Sequence, residues 1–254
     1  MAVLSDSSRS FPAVVGRNGS TLACGLFVLA VVLGAALDRS LPIAVYLLSF
    51  WHYYLYWLAF AFGAVRFDVF KRDAVAMKTV SVAVLAVVYL AHPIDLGSLT
   101  VIAGGILLNV RAAAALGIDR TYYGHEVAGL PPRRITEFPY SLTSHPMILG
   151  NLAAFGGTLL NPEFRQHWWP LAGLHLALNI ALLVMELAGP RRARSLGIGS
   201  GLAGAGVLAG AVVAALESGK EATVSITPMG TLPAVATVAF GWALYRCYAV
   251  RKKP

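Results

Sequence analysis

Long apolar segments alternate with short polar ones along most of this 254-residue chain. Most of the apolar segments have the roughly 17–25 residues that a membrane-crossing helix needs. They are Thr21–Leu37, Leu41–Val65, Ala74–His92, Gly97–Leu116, Trp168–Leu187, Leu196–Leu216 and Leu232–Val250, with a shorter one at Pro146–Leu160. The pattern predicts an all-α fold, a polytopic transmembrane helical bundle of about eight spans.

Composition supports a membrane protein, because 57% of the residues are hydrophobic and only 13% are charged, against about 25% charged in soluble domains. Suppose that the N-terminus is cytoplasmic and that Pro146–Leu160 crosses. Seventeen Lys and Arg residues, Lys78 among them, then lie on one side and three on the other. The positive-inside rule therefore predicts a multi-pass protein with both termini cytoplasmic. This orientation fits a bacterial inner membrane and the endoplasmic reticulum equally well.

The net charge of +8 is accordingly explained by topology and by attraction to anionic lipid headgroups. No aromatic-interleaved basic patch accompanies it, so the expected partners are the bilayer and a membrane lipid, and not nucleic acid. The two cysteines, Cys24 and Cys247, lie in predicted spans at opposite ends of the chain. They predict neither a disulfide nor a metal site.

The spacing of the apolar runs suggests four parts. These are a polar cytoplasmic tail (1–20), an N-terminal transmembrane scaffold (21–116), a catalytic core with a cytoplasmic loop (117–195), and a C-terminal transmembrane hairpin with a basic tail (196–254). The loop Gly117–His145 is rich in ionisable residues and runs directly into the apolar segment that starts at Pro146. Irregular polar backbone at membrane depth is tolerated where it lines a cavity or reaches water, so chemistry is expected here.

Three consecutive motifs occupy this junction. They are Arg134-Ile135-Thr136-Glu137-Phe138-Pro139-Tyr140, then Ser144-His145-Pro146-Met147-Ile148-Leu149-Gly150-Asn151, then Phe155-Gly156-Gly157-Thr158. Their order, R-x-T-x-F-P-F/Y, P-M-Y-x-G-S/N and F-x-G-T, resembles that of the phospholipid N-methyltransferases. Those are small integral membrane enzymes that use S-adenosyl-L-methionine and are related to the isoprenylcysteine carboxyl methyltransferases. The resemblance covers roughly Thr121 to Gly189.

The resemblance implies an S-adenosylmethionine-dependent methyltransferase that N-methylates a phospholipid amine, with a phosphatidylethanolamine type of headgroup. The residues that it assigns to the cofactor are Tyr122, Tyr123, Gly124, His145, Pro146, Met147, Gly150 and Glu186, and those that it assigns to the substrate are Arg134, Phe138 and Tyr140. A proline in the first turn favours a helix start, where exposed amides and the helix dipole suit a methionine carboxylate.

Methyl transfer to an ammonium group requires a base that removes a proton. The candidates in the loop are His125, Glu126, Glu137 and His145. Glu186 lies at the end of Trp168–Leu187, and a carboxylate within a span is usually functional. It suits ribose hydroxyls or cationic charge, and its alternative role is pairing with Arg191 or Arg192.

Several of these residues also fit purely structural roles. Tyr122 and Tyr123 fit an interfacial aromatic belt, and Gly150 with Gly157 fits a helix-packing stripe. The polar residues His52, His175 and Asn179 within spans fit interhelical hydrogen bonds as well as a cavity lining. The alternative functions are an isoprenylcysteine-like carboxyl or small-thiol methyltransferase, and a non-catalytic lipid-binding or transport protein.

Overall fold

The computed structural model describes residues 41–62 and 66–195, together with residues 24–26, 28, 29, 31–33 and 36. Within these ranges the chain is mostly helical and contains no strand. The helices are α1 (Leu41–Phe62), α2 (Phe67–Leu90), α3 (Leu96–Leu116), α4 (Ile118–Thr121), α5 (Gly124–Ala128), α6 (Pro146–Thr158) and α7 (Pro162–Ser195). The predicted all-α fold is confirmed for this part of the chain.

Three of the described helices are long and apolar enough to cross a membrane, namely α2, α3 and the Pro162–Val184 part of α7. Large apolar side chains of α3 such as Leu107 and Val110 are more than half exposed, which suits contact with lipid tails better than contact with water. The predicted spans Leu196–Leu216 and Leu232–Val250 lie outside the described residues. The eight-span count and the orientation of the termini therefore stay predictions.

Two helices extend beyond the apolar runs that predict them. Helix α2 begins at Phe67, although the apolar run starts at Ala74, and α7 spans Pro162–Ser195, although the run covers only Trp168–Leu187. Hydropathy marks the lipid-facing part of a helix, whereas backbone hydrogen bonds continue through its polar ends. Lys78 consequently lies midway along α2. The charge count had instead placed it at the cytoplasmic end of a span.

Helix α6 packs antiparallel against α3. The Ser98 hydroxyl donates to the Gly157 carbonyl over 2.7 Å, and the Asn109 amide donates to the Met147 carbonyl over 3.0 Å. At the far end of α6, the Asn161 side chain donates to the carbonyl of Pro93 in the α2–α3 turn over 2.9 Å. The residues that follow α6 therefore contact that turn, and the crossing of the membrane by this 13-residue helix stays a prediction.

A chain of side-chain hydrogen bonds, the polar chain, ties four helices together inside the bundle. Asn109 of α3 donates to Asn151 of α6 over 2.8 Å, and Asn151 donates to Asn179 of α7 over 2.9 Å. Asn179 then donates to the Tyr53 hydroxyl of α1 over 2.8 Å, and this hydroxyl also contacts His175 Nδ1 at 3.1 Å. Polar side chains at membrane depth need such partners, so the polar chain fixes the relative positions of α1, α3, α6 and α7.

Candidate active site

A polar cavity of about 80 Å³ lies between α1, α2, α3, α6 and α7, and the polar chain forms part of its wall. The polar residues that line it are His52, Tyr53, Tyr56, Lys78, Ser81, Asn109, Thr121, Tyr123, Asn151, Asn179 and Glu186. Side chains from the membrane interior and from the loop after α3 thus face one space. Such a convergence of polar groups in an apolar bundle is the usual setting of a binding or catalytic site.

Glu186 lines this cavity and contacts the side chain of His145, which does not itself line the cavity. The Nδ1 atom of His145 lies 3.2 Å from Oε2 of Glu186, although the two residues are 41 positions apart in sequence. Both side chains are partly buried, at 29% and 23% exposure. The Nε2 atom of His145 makes no hydrogen bond to any residue in the described ranges, so it remains available to a ligand.

Tyr140 adds a hydroxyl within electrostatic reach of Glu186. The hydroxyl is buried and has no hydrogen-bond partner among the described residues. Burial raises the pKa of Tyr140, and the nearby negative charge of Glu186 raises it further, so the phenol stays protonated at neutral pH. Three residues that the sequence selects separately, Tyr140, His145 and Glu186, are therefore brought together.

The Tyr122-Tyr123-Gly124 segment forms a tight turn against α1. Tyr123 has a left-handed backbone with φ of 61°, which is uncommon for an aromatic residue and recurs at functional sites. Its ring lies 5.5 Å from that of Tyr56. A Cβ on Gly124 would come within 2.5 Å of the Asp119 carbonyl oxygen, so only glycine fits. The turn therefore places Tyr123 in the cavity wall, and burial raises the pKa of Tyr122 beside it.

The start of α6 offers backbone donors directly after His145. Pro146 occupies the first helical position, and the His145 side chain makes no capping hydrogen bond. The amides of the first turn of a helix lack partners within the helix and attract anions. Met147 from this turn also lines the cavity.

Several other predicted residues also do not line the cavity. His125 is exposed and its Nδ1 lies 2.6 Å from the Leu130 carbonyl oxygen, and Glu137 is also exposed. Arg134 and Phe138 are exposed as well and line neither this cavity nor the apolar cleft described below. The side chain of Glu126 lies outside the described atoms. Among the candidate bases with a described side chain, the structure joins only His145 to Glu186.

Gly150 faces the backbone of α3. A Cβ at Gly150 would lie 2.6 Å from the Gly105 carbonyl oxygen and 2.8 Å from the Asn109 nitrogen, and one at Gly157 would lie 3.0 Å from Ile102. These contacts support a helix-packing role for both glycines. Helix α3 thus fills the space beside Gly150, and the assignment of Gly150 to the cofactor stays a prediction.

A separate apolar cleft of about 470 Å³ opens between α2 and α3, with α6 at its base. Its walls are mostly aliphatic, with Leu85, Ile102 and Ile106 among them. The polar cavity and the apolar cleft share five lining residues, which are Lys78, Val82, Asn109, Asn151 and Phe155. The two spaces therefore adjoin, one suited to a polar group and the other to hydrocarbon.

The sequence did not predict several of the residues that line the polar cavity. Lys78 entered only the count of positive charges on each side of the membrane, and Asn109 belonged to no motif. Tyr53 belonged to a general aromatic run, while Asn151 matched a motif without a role of its own. A polar residue within a predicted span was the available signal in each case, although the sequence does not show which of them meet.

These features define a class, a helical membrane protein with a polar cavity that adjoins an apolar cleft. Residues 95–188, fewer than half of the chain, match the family model for phospholipid methyltransferases, which agrees with the resemblance of the sequence motifs. This family consists of methyltransferases, which supports an enzymatic role. The match covers α3 to most of α7, including Tyr140, His145 and Glu186, and leaves out α1 and α2. Neither the search of curated proteins nor that of solved structures returned a match.

Proposed function

We propose that this protein is an S-adenosylmethionine-dependent methyltransferase that N-methylates the amine headgroup of a phospholipid of the phosphatidylethanolamine type. The observation that carries the proposal is the His145–Glu186 pair beside a polar cavity, within the matched domain and next to an apolar cleft. An amphiphile with a reactive polar head suits these adjoining spaces better than a water-soluble acceptor does.

The donor set near His145 fits the chemistry of S-adenosylmethionine. The free amides at the start of α6 suit its carboxylate, while Glu186 suits ribose hydroxyls or the cationic groups. The unpartnered Tyr140 hydroxyl is a further donor. At about 80 Å³ the polar cavity is smaller than the roughly 300–1,000 Å³ of ordinary ligand pockets. The cofactor would therefore extend beyond it.

When bound, S-adenosylmethionine supplies an electrophilic methyl group on a sulfonium. The protein residues have to hold the lipid amine in line with that methyl group and exclude water. An ammonium headgroup must first lose a proton, and His145 Nε2 is the acceptor that we propose. Glu186 orients the imidazole through Nδ1 and stabilises the positive charge that it gains, as a carboxylate does for other catalytic histidines.

Glu186→Gln keeps the shape of the side chain but removes its charge. If the carboxylate binds the cofactor, it loses a charge-assisted interaction worth about 1.5–3 kcal/mol, which corresponds to a roughly tenfold to hundredfold weaker affinity. Calorimetry with S-adenosylhomocysteine measures the dissociation constant directly. The matched control is Glu163→Gln, since Glu163 is an exposed acid on the same helix. Equal constants for the wild type and Glu186→Gln would remove Glu186 from the cofactor site.

The acceptor is identified by following a labelled methyl group. Membranes that contain the protein are incubated with S-adenosylmethionine labelled in its methyl group, and label is then measured in lipid, protein and volatile fractions. We expect label in the lipid fraction, on amine headgroups. Label in protein esters would indicate an isoprenylcysteine-like activity, label in volatile product a thiol methyltransferase, and no label at all a non-catalytic protein.

A further inference from the structure

Lys78 lines the candidate site but has no role in the proposed methyl transfer. It lies midway along α2, outside the matched residues 95–188, and it lines both the polar cavity and the apolar cleft. No hydrogen bond or ion pair connects its ammonium group to any residue in the described part of the chain. The group therefore lies at the junction of the two spaces without a hydrogen-bond or ion-pair partner among the described residues.

An unpaired cation at this depth is costly, and such residues usually serve a ligand. Two described carboxylates on neighbouring helices already have cationic partners, which are Arg72 for Asp73 and Lys71 for Asp119, and Glu186 contacts His145. Apart from Glu186 and His52, the polar residues that share the cavity with Lys78, such as Ser81 and Asn109, carry no ionisable group that is charged at neutral pH. An anion from outside the chain is the group that would satisfy Lys78 best.

The two adjoining spaces indicate which part of the ligand carries the anionic group. Hydrocarbon would occupy the apolar cleft, and a small polar head would occupy the cavity toward Glu186. The anionic group would then lie between them, beside Lys78, Asn109 and Asn151. In an amine phospholipid the phosphodiester occupies this position, because it joins the acylated glycerol to the headgroup.

We propose that Lys78 is a substrate-binding residue that contacts the phosphodiester of the lipid and thereby selects phospholipids over uncharged lipids of the same chain length. The inference rests on the proposed function in assuming that the ligand is the lipid substrate. Its chemistry is a charge-assisted hydrogen bond between an ammonium group and a phosphate oxygen. Lys78 thus extends the site to α2, beyond the matched domain.

The test measures lipid binding without any methyl donor. The full-length protein in maltoside micelles, which contain no phosphate, is titrated with a photoreactive phosphatidylethanolamine and with a diacylglycerol that carries the same photoreactive chain. We expect Lys78→Gln to raise the half-saturating concentration of the phosphatidylethanolamine probe about tenfold to a hundredfold. The diacylglycerol titration should not change. Lys78→Arg should retain most of the binding, because it keeps the positive charge.

Two controls separate this role from others. Arg111→Gln removes an exposed positive charge of α3 that lines neither space, and it should leave both titrations unchanged. S-adenosylhomocysteine affinity should be the same in Lys78→Gln as in the wild type. Thermal unfolding should show that Lys78→Gln is folded, because removal of an unpaired cation relieves a desolvation cost.

Several results would overturn the inference. Unchanged phosphatidylethanolamine binding in Lys78→Gln would do so, as would an equal loss of diacylglycerol binding. Displacement of the probe by inorganic phosphate would indicate a site for free phosphate, and loss of S-adenosylhomocysteine binding would assign Lys78 to the cofactor. A Lys78-dependent preference for the phospholipid without any methyl transfer by the wild type would contradict the proposed function while supporting this site.

Discussion

Replacing His145 by glutamine is expected to lower the rate of methyl transfer by about 10²–10⁴, the usual contribution of a general base. Glutamine can still hydrogen-bond to Glu186, but it cannot accept the proton of the lipid ammonium. The rate is measured with saturating S-adenosylmethionine and phosphatidylethanolamine in vesicles. Because the effect concerns proton transfer, kcat should fall more than the cofactor affinity does.

The matched control for this variant is His167→Gln. His167 is exposed near the start of α7, with Nδ1 3.0 Å from the Glu163 carbonyl oxygen, and it lines neither the polar cavity nor the apolar cleft. This variant should retain the wild-type rate. A wild-type rate in His145→Gln as well would show that another group accepts the proton.

Gly150→Ala is expected to destabilise the fold, even though alanine is the better helix former. The added Cβ would approach two backbone atoms of α3 within 3.0 Å, the Gly105 carbonyl oxygen and the Asn109 nitrogen. Backbone cannot move aside as a flexible side chain can, so α3 and α6 must separate. Overpacking of this kind costs typically about 1–3 kcal/mol, and thermal unfolding in detergent measures it.

The helix itself provides the control, since a Cβ on Gly156 would meet nothing within 4 Å. Gly156→Ala should be neutral or stabilising, because alanine is favoured over glycine in helices by about 1 kcal/mol. Gly105→Ala, on the opposite side of the contact, should behave like Gly150→Ala, since its Cβ would come within 2.5 Å of the Gly150 carbonyl oxygen. Equal stability of Gly150→Ala and Gly156→Ala would contradict the close packing of α3 and α6.

The sequence predicts the helices of this protein better than their ends. Helix α3 agrees with its apolar run to within one residue at its start, and Pro146 correctly predicts the start of α6. Helices α2 and α7 extend beyond their apolar runs because their terminal turns are polar, and hydropathy marks only the apolar part of a helix. Asn161 caps α7 by accepting from the Glu163 and Phe164 amides, and this capping signal precedes the apolar run.

The candidate site was predictable residue by residue but not as an arrangement. The motifs indicate His145, and the free-energy cost of an acid within a span indicates Glu186. The structure places His145 Nδ1 3.2 Å from Glu186 Oε2. Sequence periodicity contains no information on which helices pack together. It therefore cannot show that Lys78 and Asn109 line the same space, or that Gly150 faces α3. Those facts depend on contacts between helices that are distant in sequence.

We propose that methyl transfer to a lipid amine takes place beside His145 and Glu186, next to the polar cavity. The most direct test uses purified protein in vesicles of phosphatidylethanolamine, with S-adenosylmethionine that carries a deuterated methyl group. Mass spectrometry of the extracted lipid should show the deuterated methyl on the headgroup nitrogen with the wild type and with Glu163→Gln, and very little of it with His145→Gln. Unmodified phosphatidylethanolamine with the wild type, or equal product with His145→Gln, would contradict this claim.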